Sequence, residues 1–192
     1  LSSGSVSSCT VGVENPINLD KKVKLASEDE SAYTDGISSA YPNGTAFDYK
    51  IEVSNDAESP SKKEVTLVDQ MPSGMLPVDV TLMVDGMESD IEWEDFVKLT
   101  ADDMAGKKYT ATVSDYTATV ENVDGAVKFT WSLGVIGNTV TITYQAKLVD
   151  DTITSGVLNT YTNTVTIGDL SDEVTVKGGD NSGKLVINKQ IL

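Results

Sequence analysis

The sequence predicts an all-β protein, an immunoglobulin-like antiparallel β-sandwich with one short helix. Apolar and polar residues alternate over most of the 192 residues, which is the period of half-buried strands. Turn-forming pairs such as Asp85-Gly86 and Asp124-Gly125 separate the alternating runs. About nine or ten such runs with short connections are typical of two packed antiparallel sheets.

Each strand can be placed by the apolar face that it would bury. The opening strand covers residues 17–25. A helix is predicted roughly at 89–100, because Ser89 and Glu92 have the form of a capping box and Trp93 shares a face with later apolar residues. The other apolar faces, in chain order, are Phe47 to Val53, Val65 to Asp69, Val80 to Val84, Tyr109 to Val113, Tyr116 to Val120, Val127 to Leu133, Val140 to Leu148, Val157 to Ile167 and Val174 to Val176.

Composition divides the chain into three parts. Residues 1–15 are rich in serine and are predicted to be a linker, and residues 16–178 form the predicted sandwich domain. Residues 179–192 are predicted to be a linker followed by the start of a following domain or by a strand added to this one. The pattern around Lys189 repeats that of the opening strand, although coincidence in so short a segment stays open.

The charge of the chain excludes several classes of partner. The net charge is −16, from 30 acidic residues against 14 lysines, with no arginine or histidine. Nucleic acid and anionic membranes are therefore not expected partners. Because histidine is absent and Cys9 is the only cysteine, we expect no metal site and no cofactor. No apolar run reaches the roughly 18 residues of a membrane span, so no membrane insertion is expected in this fragment.

Lys21 interrupts the apolar face of the opening strand. Ile17, Leu19, Val23 and Leu25 share its parity, while Lys22 and Lys24 face the other way. A lysine on a buried face is costly unless it is neutral, paired or chemically consumed. Asp69 and Asn163 break the apolar faces of two other strands in the same way. Asn159 has the same parity as Asn163, so parity cannot decide which of these two asparagines faces Lys21.

These residue types are the parts of a self-made amide cross-link. Burial lowers the pKa of a lysine, and the neutral amine that results is a nucleophile. A buried carboxylic acid stays protonated, so it can polarise an asparagine carboxamide and carry protons to the departing ammonia. Folding would hold the reactants together and so supply the proximity that the reaction needs. The product would be a Lys–Asn isopeptide bond, formed once per molecule.

Four stretches resemble isopeptide-forming fimbrial (pilin and adhesin) domains of Gram-positive bacteria, which have a collagen-adhesin-like immunoglobulin sandwich. Asp20-Lys21-Lys22-Val23 is similar to their opening strand, and Gly44 to Val53 to their second strand. Val65 to Met75 looks like their strand and turn of the form apolar-x-Asp-x-apolar-Pro-x-Gly-apolar, and Asn159 to Ile167 resembles their closing strand. The resemblance spans about residues 16–178.

The resemblance implies roles for individual residues. It implies that Lys21 bonds to Asn163, with Asn159 as the reserve, and that Asp69 catalyses the reaction. It also implies a secreted, cell-wall-anchored surface module that is not an enzyme beyond its single self-cross-linking turnover, with neighbouring domains of the same protein as partners. The motifs Leu-Pro-x-Thr-Gly and Tyr-Pro-Lys are absent, and Tyr41-Pro42-Asn43 lacks the lysine, so polymerisation as a pilus subunit is in doubt.

Three other interpretations stay open from the sequence. One is purely structural, with Lys21 reaching solvent from a strand edge, Asp69 capping a turn and Asn163 satisfied as a core amide. A second is a ligand-binding adhesin domain that recognises a host matrix protein or glycan, for which Trp93 is a candidate contact. The third is an immunoglobulin-like accessory domain of a secreted enzyme.

Overall fold

The computed structural model describes residues 17–55, 64–77, 83–88, 108–154 and 156–180, and it is built almost entirely of strands. The described strands are β1 (Ile17–Leu25), β2 (Gly36–Tyr41), β3 (Ala46–Asn55), β4 (Val65–Gln70), β5 (Met75–Pro77), β6 (Met83–Val84), β7 (Met87–Glu88), β8 (Lys108–Val113), β9 (Tyr116–Val123), β10 (Ala126–Gly134), β11 (Val140–Leu148), β12 (Asn159–Ile167) and β13 (Leu170–Gly178). One 3₁₀ turn, η1, spans Glu30–Ala32.

The strands form two sheets. Sheet I has the order β1-β3-β11-β6-β7, with β5 also pairing with β11, and sheet II has the order β2-β13-β12-β4-β10-β9-β8. All pairings are antiparallel except that of β2 with β13, which is parallel. The all-β sandwich predicted from the sequence is confirmed. The predicted helix at 89–100, the linker at 1–15 and the segment around Lys189 lie outside the described residues.

The core lies between the sheets and follows the predicted parity. Phe47, Tyr49, Ile51 and Val53 of β3 are buried, as is Trp131 of β10. Two hairpins turn at the predicted Asp-Gly pairs, where both residues of each pair have positive φ, as a tight two-residue hairpin turn requires.

The structure departs from the predicted exposure at two places. Strand parity turns Lys50 away from the core face of β3 and so predicts a solvent-exposed side chain, but its Nζ lies 4.7 Å from the ring centroid of Tyr33 and 3.6 Å from Glu52 Oε2, so the side chain is only partly exposed. Val157 was expected to start the buried face of β12, yet it is 44% exposed and precedes the strand, which begins at Asn159.

Candidate cross-linking site

Lys21 points from β1 into the space between the two sheets. Its side chain is fully buried, as the alternation of the opening strand predicts. The backbone N–H of Lys21, on the outer edge of β1, donates to Asp172 Oδ2 at 2.6 Å. This contact fixes the position of β1 along β13, and it thereby fixes how far along the core the Lys21 amine lies.

Asp69 faces the lysine from the opposite sheet. It lies on β4, opposite Phe129 of β10 and Val165 of β12, and it is fully buried. Lys21 Nζ donates to Asp69 Oδ1 at 2.5 Å. The pair therefore connects sheet I to sheet II through the centre of the sandwich.

Asn163 joins this pair through a tyrosine. It lies on β12, next to β4, and is fully buried. Its Nδ2 donates to the Tyr144 hydroxyl at 2.7 Å, and that hydroxyl donates to Asp69 Oδ2 at 2.7 Å. Lys21 Nζ is 3.4 Å from the same hydroxyl. The structure therefore brings together the three residues expected from the sequence, as separate side chains that share one hydrogen-bonded network.

Burial sets the protonation chemistry of the site. It lowers the pKa of the Lys21 amine, against the opposing charge and hydrogen bond of Asp69 and the charge of Asp172. Burial, together with the negative charge of Asp69, raises the pKa of Tyr144 far above its ordinary value. The amine is thus biased towards its neutral, nucleophilic form, and the phenol is held as a neutral hydroxyl.

Tyr49 completes the wall around the carboxamide. Its ring stacks on that of Tyr144 with centroids 5.3 Å apart. Its hydroxyl and Asn163 Oδ1 are the buried side-chain polar atoms that have no hydrogen-bond partner among the described residues. Burial raises the pKa of Tyr49, and the Asn163 carboxamide is near enough to oppose that rise, although the two groups do not meet hydrogen-bond geometry.

The reserve asparagine, Asn159, belongs to a different cluster. Its Nδ2 donates to Thr152 Oγ1 at 3.1 Å and to Asp150 Oδ2 at 3.3 Å. Tyr161 also donates to Asp150 Oδ2, at 2.5 Å, so this single oxygen ties the segment after β11 to two residues of β12. The structure thus places Asn163, and not Asn159, beside Lys21.

Sequence reasoning missed Tyr49 and Tyr144 as parts of the site. Both were read as core residues on apolar strand faces, which is correct for their rings. The available signal was the hydroxyl group, since a buried tyrosine normally needs a polar partner in the core. Asp172 was also missed, because its contact is with a backbone N–H and leaves no trace in side-chain parity.

Other kinds of site find no support in the part of the chain that the structure describes. No group of three or more acidic, histidine or cysteine side chains there could hold a metal ion. None of the helical segments there has the length and apolarity that a membrane span requires. Trp93, the candidate ligand contact, lies outside the described residues.

Neither a protein-family model nor a curated protein matches the sequence. Among solved structures, the chain is similar to the major pilin subunit BcpA of Bacillus cereus (11% identity, TM-score 0.43), covering 85% of this chain and 40% of that one. It is also similar to the N-terminal domain of the Streptococcus gordonii adhesin Sgo0707 (13%, TM-score 0.42), covering 83% and 32%.

A third similarity is to AvmM, which catalyses macrocyclization in alchivemycin A biosynthesis (9% identity, TM-score 0.38), covering 90% of this chain and 93% of that one. The chain spans 40% or less of the pilin and adhesin chains just described. All three likenesses have an identity of 13% or less and a TM-score below 0.5.

Proposed function

We propose that this chain is a non-enzymatic structural module of a Gram-positive surface protein, a pilin or stalk-like adhesin. In this proposal an intramolecular isopeptide bond between Lys21 and Asn163, formed with Asp69 as catalyst, locks the domain of residues 16–178. The observation that carries the proposal is the sealed hydrogen-bonded network in which an amine, an acid and a carboxamide meet. The motifs of the four strand segments supply the family assignment.

Burial makes this network suited to reaction as well as to packing. A fully buried lysine–aspartate pair far from water gains little net stability, because desolvating two charges offsets their attraction. Moving the proton from the amine to the carboxylate removes both charges and leaves the nucleophile and the acid that amide formation requires. The position of the pair, which bridges the opening strand β1 and β4 of the facing sheet, therefore has a chemical rationale.

The bond would change how the domain carries tension. Lys21 lies on the edge strand β1 of sheet I, and Asn163 lies on β12 of sheet II, which β13 follows along the chain. β12 pairs with β13 along its whole length. A covalent link from β1 to β12 would hold the two sheets together when the chain is pulled from its ends, and it is independent of redox state. Such a module acts outside the cell, in the wall, with neighbouring domains of the same protein as its partners.

The proposal is tested by intact mass under denaturing conditions. The wild-type protein should weigh one ammonia less than its sequence, and Asn163→Ala and Asp69→Ala should each keep the full sequence mass while remaining folded. Asn159→Ala is the matched control, since it removes the reserve asparagine and should still lose ammonia. A wild-type protein at full sequence mass would reject the bond. Ammonia loss in Asp69→Ala would reject Asp69 as the catalyst.

A further inference from the structure

The Tyr144 hydroxyl lies between the acid and the group that must leave. It donates to Asp69 Oδ2 at 2.7 Å and accepts from Asn163 Nδ2 at 2.7 Å, and Lys21 Nζ is 3.4 Å away. The two carboxylate oxygens of Asp69 are engaged separately, Oδ1 by Lys21 and Oδ2 by Tyr144. The carboxamide of Asn163 therefore reaches the acid through the phenol.

We propose that Tyr144 is a second catalytic residue of the cross-linking reaction, which relays protons between Lys21, Asp69 and the departing nitrogen of Asn163. This inference rests on the proposed isopeptide bond and extends it. It assigns a chemical role to a residue that the strand motifs did not single out.

The relay accounts for every proton. First, the Lys21 ammonium gives a proton to the Tyr144 oxygen while Tyr144 passes its own proton to Asp69 Oδ2, which leaves a neutral amine and a neutral acid. The amine then attacks Asn163 Cγ and the Nζ–Cγ bond forms. In the tetrahedral intermediate Nδ2 has a lone pair, so the chain of hydrogen bonds reverses and the proton returns from Oδ2 through Tyr144 to Nδ2.

The remaining steps release ammonia and restore the carbonyl. The attached lysine nitrogen releases its surplus proton to Asp69 Oδ1, with which it already shares a 2.5 Å hydrogen bond. The Cγ–Nδ2 bond breaks, ammonia leaves, and the carbonyl reforms. The products are one amide, one ammonia and a protonated Asp69, and no oxidant, cofactor or outside base takes part.

The surroundings of Tyr144 fit this role. Its ring is held between Tyr49, with centroids 5.3 Å apart, and Phe129, with centroids 5.4 Å apart. The ring is buried, so its hydroxyl is aimed by packing rather than by solvent. Burial and Asp69 raise the pKa of Tyr144, which keeps the hydroxyl able to accept one proton as it gives up another.

The test compares two tyrosine-to-phenylalanine variants. Tyr144→Phe removes a buried tyrosine–aspartate hydrogen bond at the site, and Tyr161→Phe removes a part-buried tyrosine–aspartate hydrogen bond, to Asp150, elsewhere in the fold. Each protein is purified unfolded in denaturant and refolded by dilution, and acid-quenched samples are weighed intact over time. Tryptophan fluorescence, to which the buried Trp131 contributes, follows folding separately from bond formation.

We expect Tyr144→Phe to fold but to lose ammonia about 10²-fold more slowly than the wild type, the usual contribution of a positioned proton-transfer group. Tyr161→Phe should react at the wild-type rate. If wild type reacts and Tyr144→Phe reacts equally fast, the relay is wrong while the isopeptide proposal stands. If wild type itself never loses ammonia, the isopeptide proposal fails first.

A second readout separates relay from mere support of Asp69. If Tyr144 carries protons in the slow step, ammonia loss in heavy water should slow more for the wild type than for Tyr144→Phe. Equal solvent isotope effects in the two proteins would show that Tyr144 only holds Asp69 in place, and would overturn the proposal.

Discussion

The same edge strand carries two buried lysines, one on each face, and both sit in sets of lysine, aspartate and carboxamide. On the inner face Lys21 meets Asp69 and, through Tyr144, Asn163. On the outer face of sheet I, Lys24 Nζ donates to Asp48 Oδ2 at 2.5 Å, and Gln145 Nε2 donates to Asp48 Oδ1 at 2.7 Å. We refer to these as the inner set (Lys21, Asp69, Asn163 and Tyr144) and the outer set (Lys24, Asp48 and Gln145).

The two sets differ in what surrounds the lysine. Lys24 Nζ also donates to a backbone carbonyl, that of Glu28, at 3.0 Å, whereas the hydrogen-bond partners of Lys21 Nζ are the side chains of Asp69 and Tyr144. Its partner Asp48 has a side chain that is 23% exposed, whereas that of Asp69 is 1% exposed. Water can therefore reach the acid of the outer set, whereas it is excluded from the acid of the inner set.

The arrangement of the acid differs as well. In the outer set both donors point at Asp48, and no described hydroxyl links the acid to the Gln145 nitrogen. In the inner set a hydroxyl bridges the acid and the nitrogen that would leave. Residue types alone therefore do not define the proposed reactive site. Exclusion of water and the order of the hydrogen bonds do, and the outer set is an internal control for the inner one.

The largest expected contrast is between the two carboxamides. Asn163→Ala should lower the free energy of unfolding by on the order of 5 kcal/mol, by analogy with closing a long loop by a disulfide, and should lower Tm by about 10–20 °C. Gln145→Ala removes one hydrogen bond to a part-exposed carboxylate and should cost about 1 kcal/mol without altering the ammonia loss. Calorimetry with intact mass checks both. Similar decreases in Tm for the two variants would contradict the proposed difference between the inner and the outer set.

A smaller effect is expected when the outer ion pair is broken. Lys24→Met keeps the length of the side chain but removes its hydrogen bonds to Asp48 and the Glu28 carbonyl. We expect a loss of about 1–3 kcal/mol, because hydrogen bonds to charged groups are worth more than neutral ones and this pair is mostly buried. Chemical denaturation measures the loss. A full ammonia loss should persist, and its disappearance would mean that the two faces are not independent.

The two stacked tyrosines should respond in opposite ways in the unbonded Asn163→Ala background. Tyr144→Phe removes a hydrogen bond to a buried carboxylate and should cost about 1.5–3 kcal/mol. Tyr49→Phe removes a buried hydroxyl that has no hydrogen-bond partner among the described residues, so stability should stay unchanged or rise slightly. Denaturant midpoints of the two double variants decide this, and a large loss for Tyr49→Phe would contradict the geometry of the inner set.

The smallest expected effect is a dependence on pH of the bond's contribution to the free energy of unfolding. In the proposed cross-linked wild type Lys21 is consumed and does not titrate, whereas in Asn163→Ala it does. Burial lowers its folded pKa below the unfolded value of 10.5, so the unfolded chain binds the extra proton. Stability of Asn163→Ala should therefore rise, relative to the wild type, as pH increases from the lowered pKa towards 10.5. If the difference in the free energy of unfolding between the wild type and Asn163→Ala instead widened as the pH rose over this window, the predicted direction would be wrong.

Much of the inner set follows from strand parity, because the period of two is strict on a strand that faces a dry core. Lys21, Asp69 and Asn163 break apolar faces, and each of these side chains is buried in the structure. Parity could not choose between Asn159 and Asn163, since that choice depends on how far along β12 the facing strands reach. The structure places Asn159 at the beginning of β12, where it contacts Asp150. Asn163 lies four residues further along the same strand, in the network that includes Lys21.

The outer set could not be predicted in the same way. Parity assigns Lys24 to the face opposite Lys21, which the structure bears out, but it does not show that the face is covered. The cover comes from the segment between β1 and β2, where Glu28 and Tyr33 fold over Lys24. That segment has no alternating pattern, and its 3₁₀ turn is set by the capping contact of Asp29 with Ser31 rather than by hydrophobic periodicity.

The central claim, a covalent link between Lys21 and Asn163, is tested most directly at the level of peptides. Total mass can mislead, because an Asn-Gly sequence such as Asn43-Gly44 can lose ammonia on its own. Digestion of the wild-type protein followed by tandem mass spectrometry should give one branched peptide in which the Lys21 side chain is joined to Asn163, together with an intact Lys24. A free Lys21 side chain, or a branch from Lys21 to Asn159, would contradict the account.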